Sequence, residues 1–166
     1  PTFNEAIQVV NNSLALLATN ATINSGVYQE LFSESFLKDK DLYFVGCSEF
    51  VLAIEAGELE TKKAYDLVFK KIAFLQDKDI DTLVLACTHF DFYQEIIESI
   101  LPDVKIVTSG KKVAQELYSF LDSRYLLNKQ QVGKRIFLTA GSRLDFQRKL
   151  ELFFNSKYYV HEVQLE

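Results

Sequence analysis

The chain has 166 residues, of which 48% are hydrophobic and 25% charged, a composition typical of a globular protein rather than of a disordered or fibrous one. Its 18 Lys and Arg residues are outnumbered by 23 Asp and Glu residues, so it lacks the positive charge of a protein that binds nucleic acid or an anionic membrane. No apolar run approaches the roughly 18 residues that span a bilayer, and the N-terminus lacks a secretory pattern, so we expect a cytoplasmic protein.

Short apolar runs alternate along the chain with amphipathic stretches of helical period. This alternation is typical of parallel strands covered by helices on both faces, so the sequence predicts an α/β fold with a mostly parallel sheet flanked by helices. The predicted strands are Leu14 to Ala18, Leu42 to Gly46, Thr82 to Ala86, Val104 to Val107, Arg135 to Leu138 and Tyr158 to Val163. The clearest predicted helices are Leu59 to Gln76, Phe92 to Leu101 and Ser142 to Phe154.

A domain boundary is predicted near Ser109 to Lys112. Four strands with their helices precede it and make a plausible compact unit, whereas the two helices and two strands after it are too few to bury their own apolar faces. The second part therefore needs something to pack on. The chain also contains no Met and begins with Pro1, which fits either a trimmed start or a piece of a longer chain. Because the part after the boundary has nothing to pack on, we expect the sequence to be a piece of a longer chain.

In open parallel sheets, ligands bind beyond the carboxyl ends of the strands, so the residues after each apolar run are candidates for a site. The first such stretch runs from Thr19 to Ser25 and includes the hydroxyls of Thr19 and Thr22. Hydroxyls and free N–H groups at a helix start suit a carboxylate or a phosphate. A capping turn without a ligand explains the same residues equally well.

The second stretch begins with Cys47 and Ser48, and Glu55 follows in the next apolar segment. Apolar neighbours allow a partly desolvated carboxylate at Glu55, although an exposed Glu on a short helix is the simpler alternative.

The third stretch, Cys87-Thr88-His89, carries the strongest signal because a thiol, a hydroxyl and an imidazole leave a buried strand together. A helix start and a neighbouring imidazole would both favour the reactive thiolate form of Cys87. A purely structural cysteine is the alternative on this pattern, since free cysteine is among the most buried residue types.

Few kinds of reaction suit a thiol in this sequence context. A protease-like triad has little support, because His161 is the only other histidine. A zinc site would have to recruit Cys47, Cys87, His89 and His161 without paired ligand spacing. Proton abstraction beside a carboxylate remains, and a racemase without a cofactor needs two acid/base groups on opposite faces of one carbon. From the residues alone, Cys47 and Cys87 are the tempting pair.

Four segments resemble the glutamate racemases, a cofactor-independent family that makes D-glutamate for peptidoglycan. Leu85 to Phe90 resembles the second cysteine motif of that family, and Ala18 to Tyr28 resembles its threonine-rich substrate loop. Phe50-Val51 with Glu55 and Phe137 to Ser142 followed by Phe146 resemble two further segments. The resemblance therefore runs from near Pro1 to the end of the chain.

The resemblance implies a role for each matching residue. Cys87 would be the acid/base on the L-glutamate face, assisted by His89, with Glu55 as the supporting carboxylate. The implied substrate contacts are Thr19, Thr22, Thr88 and His89. The other catalytic cysteine of the family lies in an N-terminal domain, so Cys47 would be a bystander. No metal or other cofactor is implied.

The family architecture implied by the resemblance has two similar α/β domains with the active site between them. Residues 1–112 would be the second domain, and residues 113–166 a segment that returns to a first domain absent from this chain. The chain alone would then be inactive or nearly so. Family members are commonly homodimers. His89 favours glutamate over aspartate, because aspartate racemase-like relatives tend to carry Glu there; an aspartate racemase and a non-catalytic glutamate-binding remnant remain the alternatives.

Overall fold

The structure, a computed structural model, describes residues 2–34, 36–129 and 133–164. The chain divides into two compact units, the first ending at Arg124 and the second beginning at Tyr125. The boundary expected at residues 109–112 coincides with the start of a helix that belongs wholly to the first unit. The assignment of residues 1–112 and 113–166 to two racemase domains stays a prediction.

The helices and strands follow the predicted alternation. The α-helices are α1 (Thr2–Val9), α2 (Asn20–Asn24), α3 (Val27–Ser33), α4 (Ser48–Glu55), α5 (Lys62–Ile72), α6 (Gln94–Ile100), α7 (Ser109–Ser123) and α8 (Arg143–Phe154). The strands are β1 (Ser13–Ala18), β2 (Asp41–Gly46), β3 (Thr82–Leu85), β4 (Lys105–Thr108), β5 (Phe137–Thr139) and β6 (Val160–Glu162). Short 3₁₀ turns lie at Phe36–Asp39, Ala73–Asp77 and Phe90–Tyr93.

All six predicted strands are present, with ends that differ by one or two residues. The predicted helix from Leu59 to Gln76 is shorter, because it ends in the 3₁₀ turn after Ile72. The predicted start of the last helix is confirmed, since the Ser142 hydroxyl accepts a hydrogen bond from the Asp145 N–H at 3.3 Å.

The first unit is built on a parallel sheet with the strand order β2-β1-β3-β4. All six residues of β1 are buried, as expected for a central strand covered by helices on both faces. One face packs against α1 and α3 through Ala6, Leu14, Leu16 and Phe32. The predicted α/β class with a mostly parallel sheet is therefore confirmed.

The second unit pairs β5 with β6 in parallel, and among its described residues the buried apolar ones are Leu150 and Val160. Leu138, Leu144 and Phe154 are each more than half exposed. This small core fits the expectation that the later part of the chain cannot bury its own apolar surface. Within the described ranges, every helix is too short or too polar to cross a membrane.

Candidate active site

The strand order defines a crevice between β1 and β3. The chain leaves β1 toward β2 on one side, and after β2 it crosses to β3 on the other side. Ligands of open α/β sheets bind at such a reversal, beyond the carboxyl ends of the two strands. The Ala86 N–H donates to the Leu17 carbonyl at 2.9 Å, so the two chains remain adjacent as they leave the sheet. The topology thus brings the Thr19 and Cys87 stretches to one edge.

The β1 side of this crevice presents two hydroxyls. Thr19 caps α2, its hydroxyl accepting from the Thr22 N–H at 3.3 Å, and the Oγ1 atoms of Thr19 and Thr22 lie 2.9 Å apart. Both side chains are partly buried. A hydroxyl carries one donor and two acceptor sites, so after one O–H has bonded to the other, the pair keeps one O–H for an external acceptor such as a carboxylate.

The β3 side presents the thiol, the hydroxyl and the imidazole. Cys87 and His89 are partly buried and Thr88 is exposed. The Cys87 carbonyl accepts from the Phe90 N–H at 3.0 Å, which begins the 3₁₀ turn Phe90–Tyr93. The helix N-terminus expected directly after Cys87 is therefore displaced, since α6 begins only at Gln94, and its macrodipole acts within its own first turn.

His89 has a carboxylate partner on a different element. Its Nε2 lies 3.2 Å from Oε1 of Glu55, the last residue of α4, and about a third of each side chain is exposed. The Glu55 carboxylate therefore fixes the orientation of the His89 ring. A base oriented by a third group is the arrangement that activates nucleophiles and proton-transfer groups.

Cys47 lies apart from this group. Its side chain is fully buried at the end of β2, and burial raises the pKa of its thiol to about 12. The strand β1 separates β2 from β3, which places the strands that carry Cys47 and Cys87 roughly 10 Å apart. These observations argue against the Cys47 and Cys87 pair that the residues alone suggested, and fit a bystander role for Cys47.

Sequence reasoning missed two contacts that hold the β1 loop against the end of β2 and the start of α4. The Asn20 N–H donates to the Ser48 hydroxyl at 2.8 Å. A Cβ at Gly46 would come within 2.2 Å of the Asn20 Oδ1 atom, so glycine permits this close approach. A glycine that ends a strand was the available signal.

Known proteins resemble this chain in sequence and in fold. No protein-family model matches the chain. It is 34% identical over 153 residues to a glutamate racemase of Thermoanaerobacter sp. (strain X514), an alignment covering 92% of this chain and 58% of that protein.

Solved structures of glutamate racemases share the fold of this chain. A glutamate racemase isoform of Bacillus anthracis superposes with a TM-score of 0.86 at 27% identity, over 99% of this chain and 62% of its own. The glutamate racemase of Francisella tularensis, solved in complex with D-glutamate, gives a TM-score of 0.83 at 27% identity, over 99% and 61%.

The fold is thus that of the aspartate/glutamate racemase class. Within that class, the chain is homologous to glutamate racemases. It spans about three fifths of the length of these relatives.

Proposed function

We propose that the protein to which this chain belongs racemises glutamate without a cofactor, and that Cys87 is one of its two acid/base thiols. The observation that carries the proposal is the crevice between β1 and β3. The Thr19 and Cys87 stretches leave these two adjacent strands at the same edge of the sheet, which supports a shared site. The homologous racemases and the D-glutamate bound to the Francisella protein support glutamate as the substrate.

The proposed reaction is a proton exchange at Cα. The Cys87 thiolate removes the α-proton of L-glutamate, and a thiol on the opposite face gives its own proton to the resulting carbanion, so the pair of thiols only changes its protonation. The hydroxyls of Thr19, Thr22 and Thr88 hold the polar groups of the substrate. His89, oriented by Glu55, takes the proton of Cys87 to form the thiolate.

The second thiol lies outside this chain in our proposal, because Cys47 is buried and its thiol holds its proton at neutral pH. The relatives are longer than this chain, and we assign the second thiol to an N-terminal domain within that additional length. Residues 1–112 are then the second domain, and residues 113–166 return to the first. By its similarity to glutamate racemases, we propose a cytoplasmic enzyme of peptidoglycan precursor synthesis, which we expect to form a homodimer.

The test is exchange of the Cα proton of glutamate in deuterated water, together with racemisation followed by polarimetry. Both are measured on the full polypeptide and on its Cys87→Ala variant. We expect the variant to lose both activities, and full activity in it would refute the role of Cys87. Full racemisation by the 166-residue chain alone would refute an external second thiol.

Two other functions predict different results. A racemase for aspartate would process aspartate faster than glutamate in the same assay. A non-catalytic binding module would bind glutamate in a calorimeter without exchanging its α-proton.

A further inference from the structure

The four residues after His89 form one 3₁₀ turn, Phe90–Tyr93. Residues three apart in such a turn lie one above the other, so Phe90 and Tyr93 share a face. Both side chains are completely buried, whereas Phe92 is 41% exposed. The segment that carries His89 is therefore anchored in the core by two aromatic rings of its own turn.

Both rings pack edge-on against one residue of α4. The centroid of Phe50 lies 5.4 Å from that of Phe90 and 5.5 Å from that of Tyr93, with interplanar angles of 67° and 76°. Edge-to-face contacts at these distances are favourable beyond the area they bury. Because α4 ends at Glu55, the three rings set this helix against the turn that carries His89.

Tyr93 adds a polar contact to the same junction. Its hydroxyl donates a hydrogen bond of 2.7 Å to the Glu58 carbonyl, just beyond the end of α4. The Glu58 N–H in turn donates to the Ala53 carbonyl at 3.0 Å, and Gly57 makes the turn between them with a φ of 90°. The hydroxyl of Tyr93 therefore holds the chain that immediately follows Glu55.

We propose that Tyr93 is a positioning residue for the hydrogen bond between Glu55 and His89. Its ring fixes the turn after His89, and its hydroxyl fixes the end of the helix that carries Glu55. At 3.2 Å the contact between His89 and Glu55 is at the long end of the hydrogen-bond range, so a displacement of a few tenths of an ångström breaks it. The catalytic consequence rests on the proposed function, whereas the positioning does not.

The test uses imidazole ¹⁵N signals at a fixed pH. The chain has two histidines, His89 and His161, so a His161→Gln variant assigns both. We expect Tyr93→Phe to move the His89 signals in the same direction as Glu55→Gln does, and to leave those of His161 in place. Tyr65→Phe, the same chemical change on α5, should move neither. Unchanged His89 signals in Tyr93→Phe would overturn the proposal.

A second variant covers the case in which Tyr93→Phe does not fold. Phe50→Leu removes the ring that Phe90 and Tyr93 both contact and should also displace the His89 signals, whereas Phe32→Leu removes a buried ring of α3 and should not. Equal displacement of the His89 signals by Phe50→Leu and Phe32→Leu would show that Phe50 and Tyr93 act only as general core residues, and would overturn the proposal.

Racemisation by the full polypeptide gives an independent measurement. Tyr93→Phe should lower kcat roughly 10-fold with little change in KM, because misplacing an acid/base group affects the chemical step more than binding. If the wild-type full polypeptide shows no racemase activity, the proposed function is refuted. If Tyr93→Phe still displaces the His89 signals in that case, the positioning role of Tyr93 is retained.

Discussion

His89 and Glu55 are 34 positions apart in the sequence, yet Nε2 of the histidine lies 3.2 Å from Oε1 of the glutamate. The contact joins the end of α4 to the turn after β3, two elements on the same edge of the sheet. It leaves Nδ1 of His89 for another partner. A carboxylate in this position fixes which way the imidazole ring faces.

Replacing Glu55 by Gln keeps a hydrogen-bonding side chain but removes its charge. In the full polypeptide, we expect kcat for glutamate racemisation to fall about 10- to 100-fold, since a hydrogen bond to a charged group contributes about 1.5–3 kcal/mol. Glu49→Gln is the matched control, because Glu49 lies on the same helix and forms its salt bridge with Lys71 at 2.8 Å. Equal losses in the two variants would contradict a specific role for Glu55.

The two cysteines should differ in reactivity toward a thiol reagent. Cys87 is partly exposed, whereas Cys47 is fully buried and burial raises its thiol pKa to about 12. Iodoacetamide at pH 8 should therefore modify Cys87 and leave Cys47 intact, as read by peptide mass spectrometry. In urea, where the fold is lost, both should react at similar rates. Modification of Cys47 before Cys87 in the folded protein would contradict this arrangement.

The hydroxyl of Thr19 should contribute to substrate affinity. Thr19→Val removes both the contact with Thr22 and the donor offered to a carboxylate, and we expect KM for glutamate to rise roughly 10-fold, the equivalent of one lost hydrogen bond. Thr19→Ser keeps the hydroxyl and should stay near the wild-type KM. Similar KM values for the Val and Ser variants would show that Thr19 acts only as a helix cap.

Much of this fold could be predicted because buried parallel strands produce continuous apolar runs. Thr82 to Ala86 is such a run, and the rule that ligands bind beyond strand ends then led directly to Cys87. The class of fold and the candidate residues both follow from local pattern and this rule.

The details that could not be predicted depend on tertiary packing. The 3₁₀ turn at Phe90–Tyr93 replaces a helix start because two rings dock on Phe50, which local periodicity does not encode. The separation of Cys47 from Cys87 follows from β1 lying between their strands, and strand order is invisible in an apolar pattern. The strand order therefore argues against pairing Cys47 with Cys87, as the residues alone had suggested.

Asp81 connects the loop before β1 to the start of β3, at the edge of the sheet opposite the site. Its carboxylate accepts hydrogen bonds from the N–H groups of Asn11, Asn12 and Ser13 and from the Thr82 hydroxyl. Partial burial opposes ionisation, but these donors outweigh it and hold the pKa of Asp81 below its ordinary value.

Asp81→Asn should therefore lower stability in a pH-dependent way. A carboxyl whose folded pKa is depressed stabilises the fold above its unfolded pKa of about 3.9, and that stabilisation disappears as the pH falls through the folded value. We expect wild type to exceed the variant by about 1 kcal/mol in urea unfolding at pH 7, allowing for solvent screening of a partly exposed group. The difference should shrink toward zero below pH 4. Asp103 is an exposed carboxylate near the same edge, and Asp103→Asn should show no such difference from wild type. A difference in unfolding free energy between wild type and Asp81→Asn that does not change with pH would contradict the charge-dependent role.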